Sequence, residues 1–224
     1  MVAWTEFENL STKAERRMIG RLTTPEKLQA FLNDLPYRSE YLYRCPLRLL
    51  RDWRGHCYDG AVLAAMVLGR MGYPPRIVEL LPNKRDDDHM LAVYRRGGGW
   101  GAVAHSNFAG LRYREPVFRS LRELVMSYFE DFYNLAREKT LRGYTLPLNL
   151  GAFDRQRWMT RDEAMDAIAQ RLDRIAKRRL LTPGMVRNLA RVDDRSYRAG
   201  LMGSVRSGLF KPQGAGKSKP RQVC

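Results

Sequence analysis

The sequence contains few cysteines and no pattern that would organise them. Its 224 residues include three cysteines, Cys45, Cys57 and Cys224. An odd number argues against a set of disulfides, and the lack of CxxC or HxxxH spacing argues against a zinc site. We therefore expect no metal and no other cofactor.

Long apolar runs are also missing. The longest, Ala61 to Leu68, has about eight residues, whereas a membrane-spanning helix needs about 20. The first residues include Glu6 and Glu8 and lack the apolar stretch of a signal peptide. The sequence thus predicts no membrane span and a cytoplasmic location.

Acidic residues are scarce toward the C-terminus. The net charge is +16, and residues 151–224, with 17 Lys and Arg against 7 Asp and Glu, carry +10 of it. Such an excess suits nucleic acid or another anionic partner. Solvated faces of Arg-rich helices are the preferred explanation, and a partner of this kind stays open as the alternative.

Turn and cap signals divide the chain into four expected segments. These are a leader at 1–22, a main domain at 23–155, a helical extension at 156–202 packed on that domain, and a disordered basic tail at 203–224. The tail is rich in Gly, Ser, Lys and Pro, a composition that cannot bury a core. We expect it to contribute little to stability.

The main domain mixes helix and strand signals. Helix starts are predicted at Thr24-Pro25 and at Pro46, and an almost wholly apolar helix is predicted from Cys57 to Gly72. Buried strands are expected at 76–81, 90–94 and 100–107. Together they predict an α+β fold in which the Cys57 helix packs on a small antiparallel sheet.

A capping box at Ser120 to Glu123 predicts a further helix, and Tyr128, Phe129 and Phe132 extend its apolar face. Two or three amphipathic helices are expected within 156–202. Each must bury its apolar stripe, and the helix at 120–136 is the expected partner.

Cys57 and His89 are the candidate catalytic residues. Cys57 follows Gly55 at the start of the apolar helix, where the helix dipole and free N–H groups stabilise a thiolate. His89 begins a strand. A thiol beside an imidazole that accepts its proton is the pair required for nucleophilic catalysis by cysteine. Taken separately, Cys57 is also typical of a core residue, and His89 of a surface one.

A third residue should orient the imidazole. If Arg95 pairs with Trp100 across the glycine turn, His89 faces Ser106, and a loop longer by one residue makes it Asn107. No carboxylate lies between Asp88 and Glu115. Ser106 or Asn107 is therefore the predicted orienting residue.

Two strings carry a family resemblance: GHCYDGAVLAAMVLGRMGYPPRIVEL and DHMLAVYRRGGGW. They resemble the core of the transglutaminase-like superfamily, which is related to papain-like Cys–His enzymes, and in particular a bacterial group within it. The matching positions are Gly55, Cys57, Asp59, Gly72, Pro74, His89 and Trp100. The resemblance covers about residues 20–160.

The resemblance implies a cysteine-dependent acyl-transfer enzyme acting on a protein or peptide, more in the manner of a peptidase or amidase than of a cross-linking transglutaminase. The family's usual Asp after the Trp is replaced here by the stretch AHSNF, in which Asn107 is the preferred substitute and Ser106 the second choice. The alternative is a non-catalytic binding or scaffolding module whose basic C-terminal region recruits a partner.

Overall fold

The computed structural model describes residues 2–211. The helices are α1 (Val2–Leu10), α2 (Lys13–Arg21), α3 (Pro25–Asp34), α4 (Pro46–Asp52), α5 (Cys57–Arg70), α6 (Leu121–Met126), α7 (Glu163–Arg174), α8 (Pro183–Arg187) and α9 (Asp194–Gly200). The strands are β1 (Arg76–Pro82), β2 (His89–Arg96), β3 (Gly99–Val103), β4 (Arg114–Phe118), β5 (Leu141–Thr145), β6 (Leu148–Asn149) and β7 (Lys177–Arg179). Short 3-10 turns cover Ala109–Leu111, Leu150–Gln156 and Arg206–Gly208.

All strand pairs of the sheet are antiparallel. The order is β4-β3-β2-β1-β5-β7, and β6 pairs with β1. The predicted register of the β2–β3 hairpin is confirmed, because Arg95 lies opposite Trp100. The ladder ends where Ala92 meets Val103, so it stops short of Ser106.

The start of α5 at Cys57 is fixed by hydrogen bonds to the Asp59 carboxylate and by close packing at Gly55. The Asp59 carboxylate accepts the backbone N–H of His56 at 3.3 Å and that of Arg44 at 2.8 Å. Gly55 precedes the helix where a Cβ would lie 2.5 Å from Leu49 Cδ1. The helix therefore starts at a defined residue, with Cys57 in its first turn.

Two apolar clusters lie on opposite faces of the sheet. The first contains most of α5 together with Met90, Ala92 and Val103, and the second contains Leu91, Val93 and Ala102. This alternation follows from the two-residue repeat of a strand. The predicted α+β class is confirmed, with a buried helix that begins at Cys57 and packs on an antiparallel sheet.

The N-terminal residues differ from the expected leader. α1 and α2 are part of the first cluster, in which Phe7 and Ile19 are each 1% exposed. The Thr12 hydroxyl oxygen caps α2 by accepting the N–H of Glu15, and the Glu15 carboxylate accepts the N–H of Thr12. The Thr-x-x-Glu capping box is a helix signal that the sequence analysis passed over.

The helix predicted from Ser120 ends earlier than expected, at Met126. Arg114 explains this end, since its guanidinium donates to the Ser127 hydroxyl oxygen and to the Ser127 carbonyl. The same group lies 4.0 Å from the Tyr128 ring centroid and pairs with Asp131. Tyr128 and Phe132 are still buried, but from a loop.

The C-terminal helices divide between the two faces. Met165, Ile168 and Leu172 of α7 join the first cluster, and the Tyr58 hydroxyl donates to the Met165 carbonyl at 2.8 Å. Their partner is thus α5 and not the helix at 120–136. Val186 and Leu189, in and after α8, do pack on the second cluster with α6.

Part of the predicted tail is ordered. Residues 203–211 contain a 3-10 turn, and Val205 shares two hydrogen bonds with Asn107. The remaining tail, 212–224, lies outside the described residues. Across residues 2–211, none of the helices combines the length and apolar character needed to cross a membrane.

Glycine 60 permits the closest approach of α5 to the sheet. A Cβ there would lie 2.3 Å from His105 Cβ, whereas a Cβ on Gly69 of the same helix meets nothing nearer than 3.6 Å.

Because Ala has the higher helix propensity by about 0.5–1 kcal/mol, Gly69→Ala should leave stability unchanged or raise it. We expect Gly60→Ala to lower the free energy of unfolding by about 2 kcal/mol in urea titrations, since overpacking costs about 1–3 kcal/mol. Equal effects of the two substitutions would contradict this packing.

Candidate functional site

Cys57 lies at the start of α5 with a fully buried side chain, 0% exposed. Free N–H groups of the first helical turn point toward this end. An electrostatic interaction with Cys57 is among the causes that raise the pKa of Asp88, after burial, Glu79 and Asp87. Asp88 directly precedes β2, so the start of α5 and the start of β2 are neighbours.

His89, the first residue of β2, is 4% exposed and bound through one ring nitrogen. Its Nε2 lies 2.7 Å from the Leu111 carbonyl oxygen. A carbonyl oxygen only accepts, so Nε2 carries the proton and a neutral ring keeps the lone pair on Nδ1. Leu111 thus selects the tautomer in which Nδ1 is the base.

The pKa of His89 is lowered to about 4, chiefly by burial and to a smaller extent by the nearby His105 and Arg114, against the opposing effect of the Leu111 carbonyl. The imidazole is therefore neutral at physiological pH. A neutral imidazole can take a proton from a thiol, which an imidazolium cannot.

Cys57 and His89 belong to different faces of the sheet. Cys57 is in the first cluster, with Met90 and Ala92, whereas His89 alternates with Met90 and contacts Leu111, a residue of the second cluster. The two residues share one end of the sheet. A contact between them has to form around the end of β2.

The acidic loop before His89 carries less negative charge than its sequence suggests. Burial raises the pKa of Asp88 well above its usual range, and a hydrogen bond with the Glu79 side chain raises it further. Burial also raises the pKa of Asp86 to about 6, although the Thr140 hydroxyl donates to this carboxylate. With Asp88 kept neutral by burial, the loop places less negative charge next to the imidazole.

The two predicted orienting residues are both buried, each 5% exposed, and have other partners. The Ser106 hydroxyl oxygen accepts the N–H of Phe108 at 3.1 Å. The Asn107 amide binds the backbone of Val205. An orienting role for either residue remains a prediction, and the partner that occupies Nε2 is the Leu111 carbonyl.

His105 is a site residue that the sequence analysis did not select. It is 4% exposed, lies against Gly60 of α5, and its ring centroid is 5.2 Å from that of Tyr37. Burial lowers its pKa to about 4. The available signal was its position just after β3. Because β3 runs antiparallel to β2, residues that follow β3 lie at the end of the sheet where β2 begins.

The cavity beside His89 is small, about 40 Å³. It is lined by Tyr37, Asp86, Asp87, Asp88, Ser106, Asn107, Phe108, Leu111, Phe132, Tyr133, Gly208 and Phe210. This volume is the space open to the centres of water molecules, and since about 10–15 Å³ of it holds one water, the cavity has room for a few waters. Within residues 2–211 no group of three or more His, Cys, Asp or Glu is arranged to hold a metal ion.

Comparisons with known proteins give weak structural likeness. No family model matches the sequence, and no curated protein matches it. One solved structure of Legionella pneumophila LapG is 17% identical with a TM-score of 0.34, and covers 46% of this chain and 70% of its own. EGTA-treated LapG is 15% identical with a TM-score of 0.39, covering 74% and 95%. TM-scores this low carry no argument, so the site rests on its own geometry.

The hydrogen bond to Leu111 predicts the protonation state of His89. Nitrogen-15 NMR of the ring should show the Nε2–H tautomer, neutral until the pH falls toward about 4. An ordinary histidine titrates near pH 6.5. Assignment of the signal by its loss in His89→Gln provides the control. An Nδ1–H tautomer, or titration above pH 6, would contradict the geometry.

Proposed function

We propose that the protein is a cysteine-dependent acyl-transfer enzyme of transglutaminase-like type, acting as a peptidase or amidase on a protein or peptide. Cys57 is the nucleophile and His89 the base. The observation that carries the proposal is the Leu111 hydrogen bond, which leaves Nδ1 of a neutral His89 as the proton acceptor.

Each step of the proposed acyl transfer is assigned to a side chain or backbone group of this chain. Cys57 Sγ attacks the carbonyl carbon while its proton passes to His89 Nδ1. The N–H groups at the start of α5 would stabilise the developing oxyanion. His89 returns the proton to the leaving amine, and water releases the acyl group with the same imidazole as base.

Leu111 takes the part that a side-chain Asp or Asn plays in related catalytic sites. A backbone carbonyl fixes the tautomer and the ring plane but carries no full charge, so it stabilises an imidazolium less than a carboxylate does. Asn107 or Ser106 would orient the His89 imidazole only in a second conformation, in which the imidazole turns or their present hydrogen-bond partners move away.

The scaffolding alternative is favoured by two observations. Cys57 is 0% exposed and the cavity beside His89 is nearly filled, which suits an inert buried thiol. In that case the exposed strand Lys177–Arg179 and its basic surroundings would be the binding surface for an anionic partner.

The pH dependence of Cys57 alkylation separates the two functions. In the Cys224→Ser chain, mass spectrometry after iodoacetamide treatment should show that Cys57 reaches half its maximal rate at least about one pH unit below a free thiol, whose pKa is about 8.5. His89→Gln should remove that shift. Transient opening of the fold changes the alkylation rate by the same factor at every pH. The pH of the half-maximal rate therefore depends on the imidazole and not on how often the fold opens.

Cys45 is the internal control. Burial raises the pKa of this thiol to about 12, so it should stay unmodified in every variant. If the pH of half-maximal alkylation of Cys57 is the same with and without His89, the catalytic pair is contradicted and the scaffolding function is supported.

A further inference from the structure

Asn107 binds another part of the chain as a neighbouring strand would. Its Nδ2 donates to the Val205 carbonyl at 2.9 Å, and the Val205 N–H donates to Oδ1 at 2.7 Å. Both backbone groups of one residue are therefore satisfied by one amide. This contact is independent of the side chain at position 205, so Asn107 can hold any non-proline residue whose backbone is extended as that of Val205 is.

Three residues further on, the segment enters the cavity beside His89. Gly208 is buried, and a Cβ there would lie 3.1 Å from Tyr37 Cδ1 and 3.2 Å from Asn107 Nδ2. Phe210 lines the same cavity. Residues 205–210 thus fill the space next to the proposed base and leave only about 40 Å³.

The attachment of this segment is local and separable from the fold. Upstream, α9 is held by the Tyr133 hydroxyl, which donates to the Ser196 carbonyl at 3.0 Å, and by Arg137 over the Tyr197 ring at 4.6 Å. Between α9 and Val205 the chain is exposed at Met202 and turns at Gly203 with φ of 72°. Release of 205–210 would therefore leave α9 and the core in place.

We propose that residues 205–210 occupy the substrate cleft as an intramolecular, peptide-like occupant. The substrate that replaces them is a polypeptide held through its backbone by Asn107 at one extended residue, which turns directly after that residue as Arg206–Gly208 does and has glycine three residues after the held position. This inference rests on the proposed function, since it identifies the cleft beside His89 as the place where substrate binds.

Two substitutions in the full 224-residue chain test the occupant. Gly208→Val adds a branched side chain whose Cβ would already lie 3.1 Å from Tyr37 Cδ1, whereas Ser207→Val adds the same side chain at an exposed position. A fluorescent peptide with the sequence of residues 203–211, GSVRSGLFK, is titrated into each protein and followed by anisotropy. We expect at least about tenfold tighter binding to Gly208→Val, because a tethered occupant competes at an effective concentration in the millimolar range.

A second variant keeps the test decisive if the Gly208→Val protein does not fold. Val205→Pro removes the N–H that Asn107 accepts and suits the observed φ of −84°. It should also bind the peptide, and a peptide carrying valine at the Gly208 position should bind neither variant. Equal peptide affinity for Gly208→Val, Val205→Pro and Ser207→Val would overturn the proposal.

The peptide titration involves no turnover, so it is separate from the test of catalysis. Tight binding to Gly208→Val together with an unreactive Cys57 would count against the enzyme and support the cleft. Faster Cys57 alkylation in Gly208→Val than in Ser207→Val, without any peptide binding, would count against the peptide cleft and support the enzyme.

Discussion

The contact between Gly60 and His105 determines where every site residue lies. α5 comes so near to the chain leaving β3 that a single added carbon would lie 2.3 Å from His105 Cβ. This approach brings the first turn of α5, and with it Cys57, to the end of the sheet at which β2 begins. His89, Leu111 and the acidic loop all gather at that end, so the position of one helix relative to one sheet edge creates the site.

Burial then sets the chemistry of the residues gathered there. His56, His89 and His105 all have a pKa lowered to about 4, with desolvation as the largest cause. The site in this state holds neutral imidazoles beside a buried Asp88 that burial keeps protonated, an arrangement that favours proton transfer on attack over a preformed thiolate–imidazolium pair. Departure of residues 205–210 would hydrate His89 and move its pKa toward 6.5. The same segment therefore affects both access to the site and the basicity of the base.

The sequence predicted the parts of the fold that depend on local signals. The Pro-initiated helices α3 and α4, the apolar helix from Cys57 and the β2–β3 register all follow from caps, turns and periodicity. It did not predict features that depend on distant partners. Arg114 ends α6 at Met126, and β7 is three exposed basic residues that only pairing with β5 turns into a strand.

The candidate site divides in the same way. Cys57 and His89 are marked by residue type and position, whereas Leu111 contributes a backbone carbonyl, for which no residue type is a signal. The docking of Val205 on Asn107 joins residues 98 positions apart in a segment whose composition predicts disorder. Only the folded chain brings such groups together.

The central claim is that Cys57 and His89 act as a pair although they belong to different faces of the sheet. The most direct measurement is the distance between Cys57 Sγ and His89 Nδ1 in a crystal structure of the full 224-residue chain carrying Gly208→Val, in which the cleft is vacated. The account predicts a separation of about 3.5–4.5 Å, with Nε2 still bound to the Leu111 carbonyl. A separation beyond about 8 Å, with the imidazole still facing away from α5, would contradict it, because no proton could pass directly between the two groups.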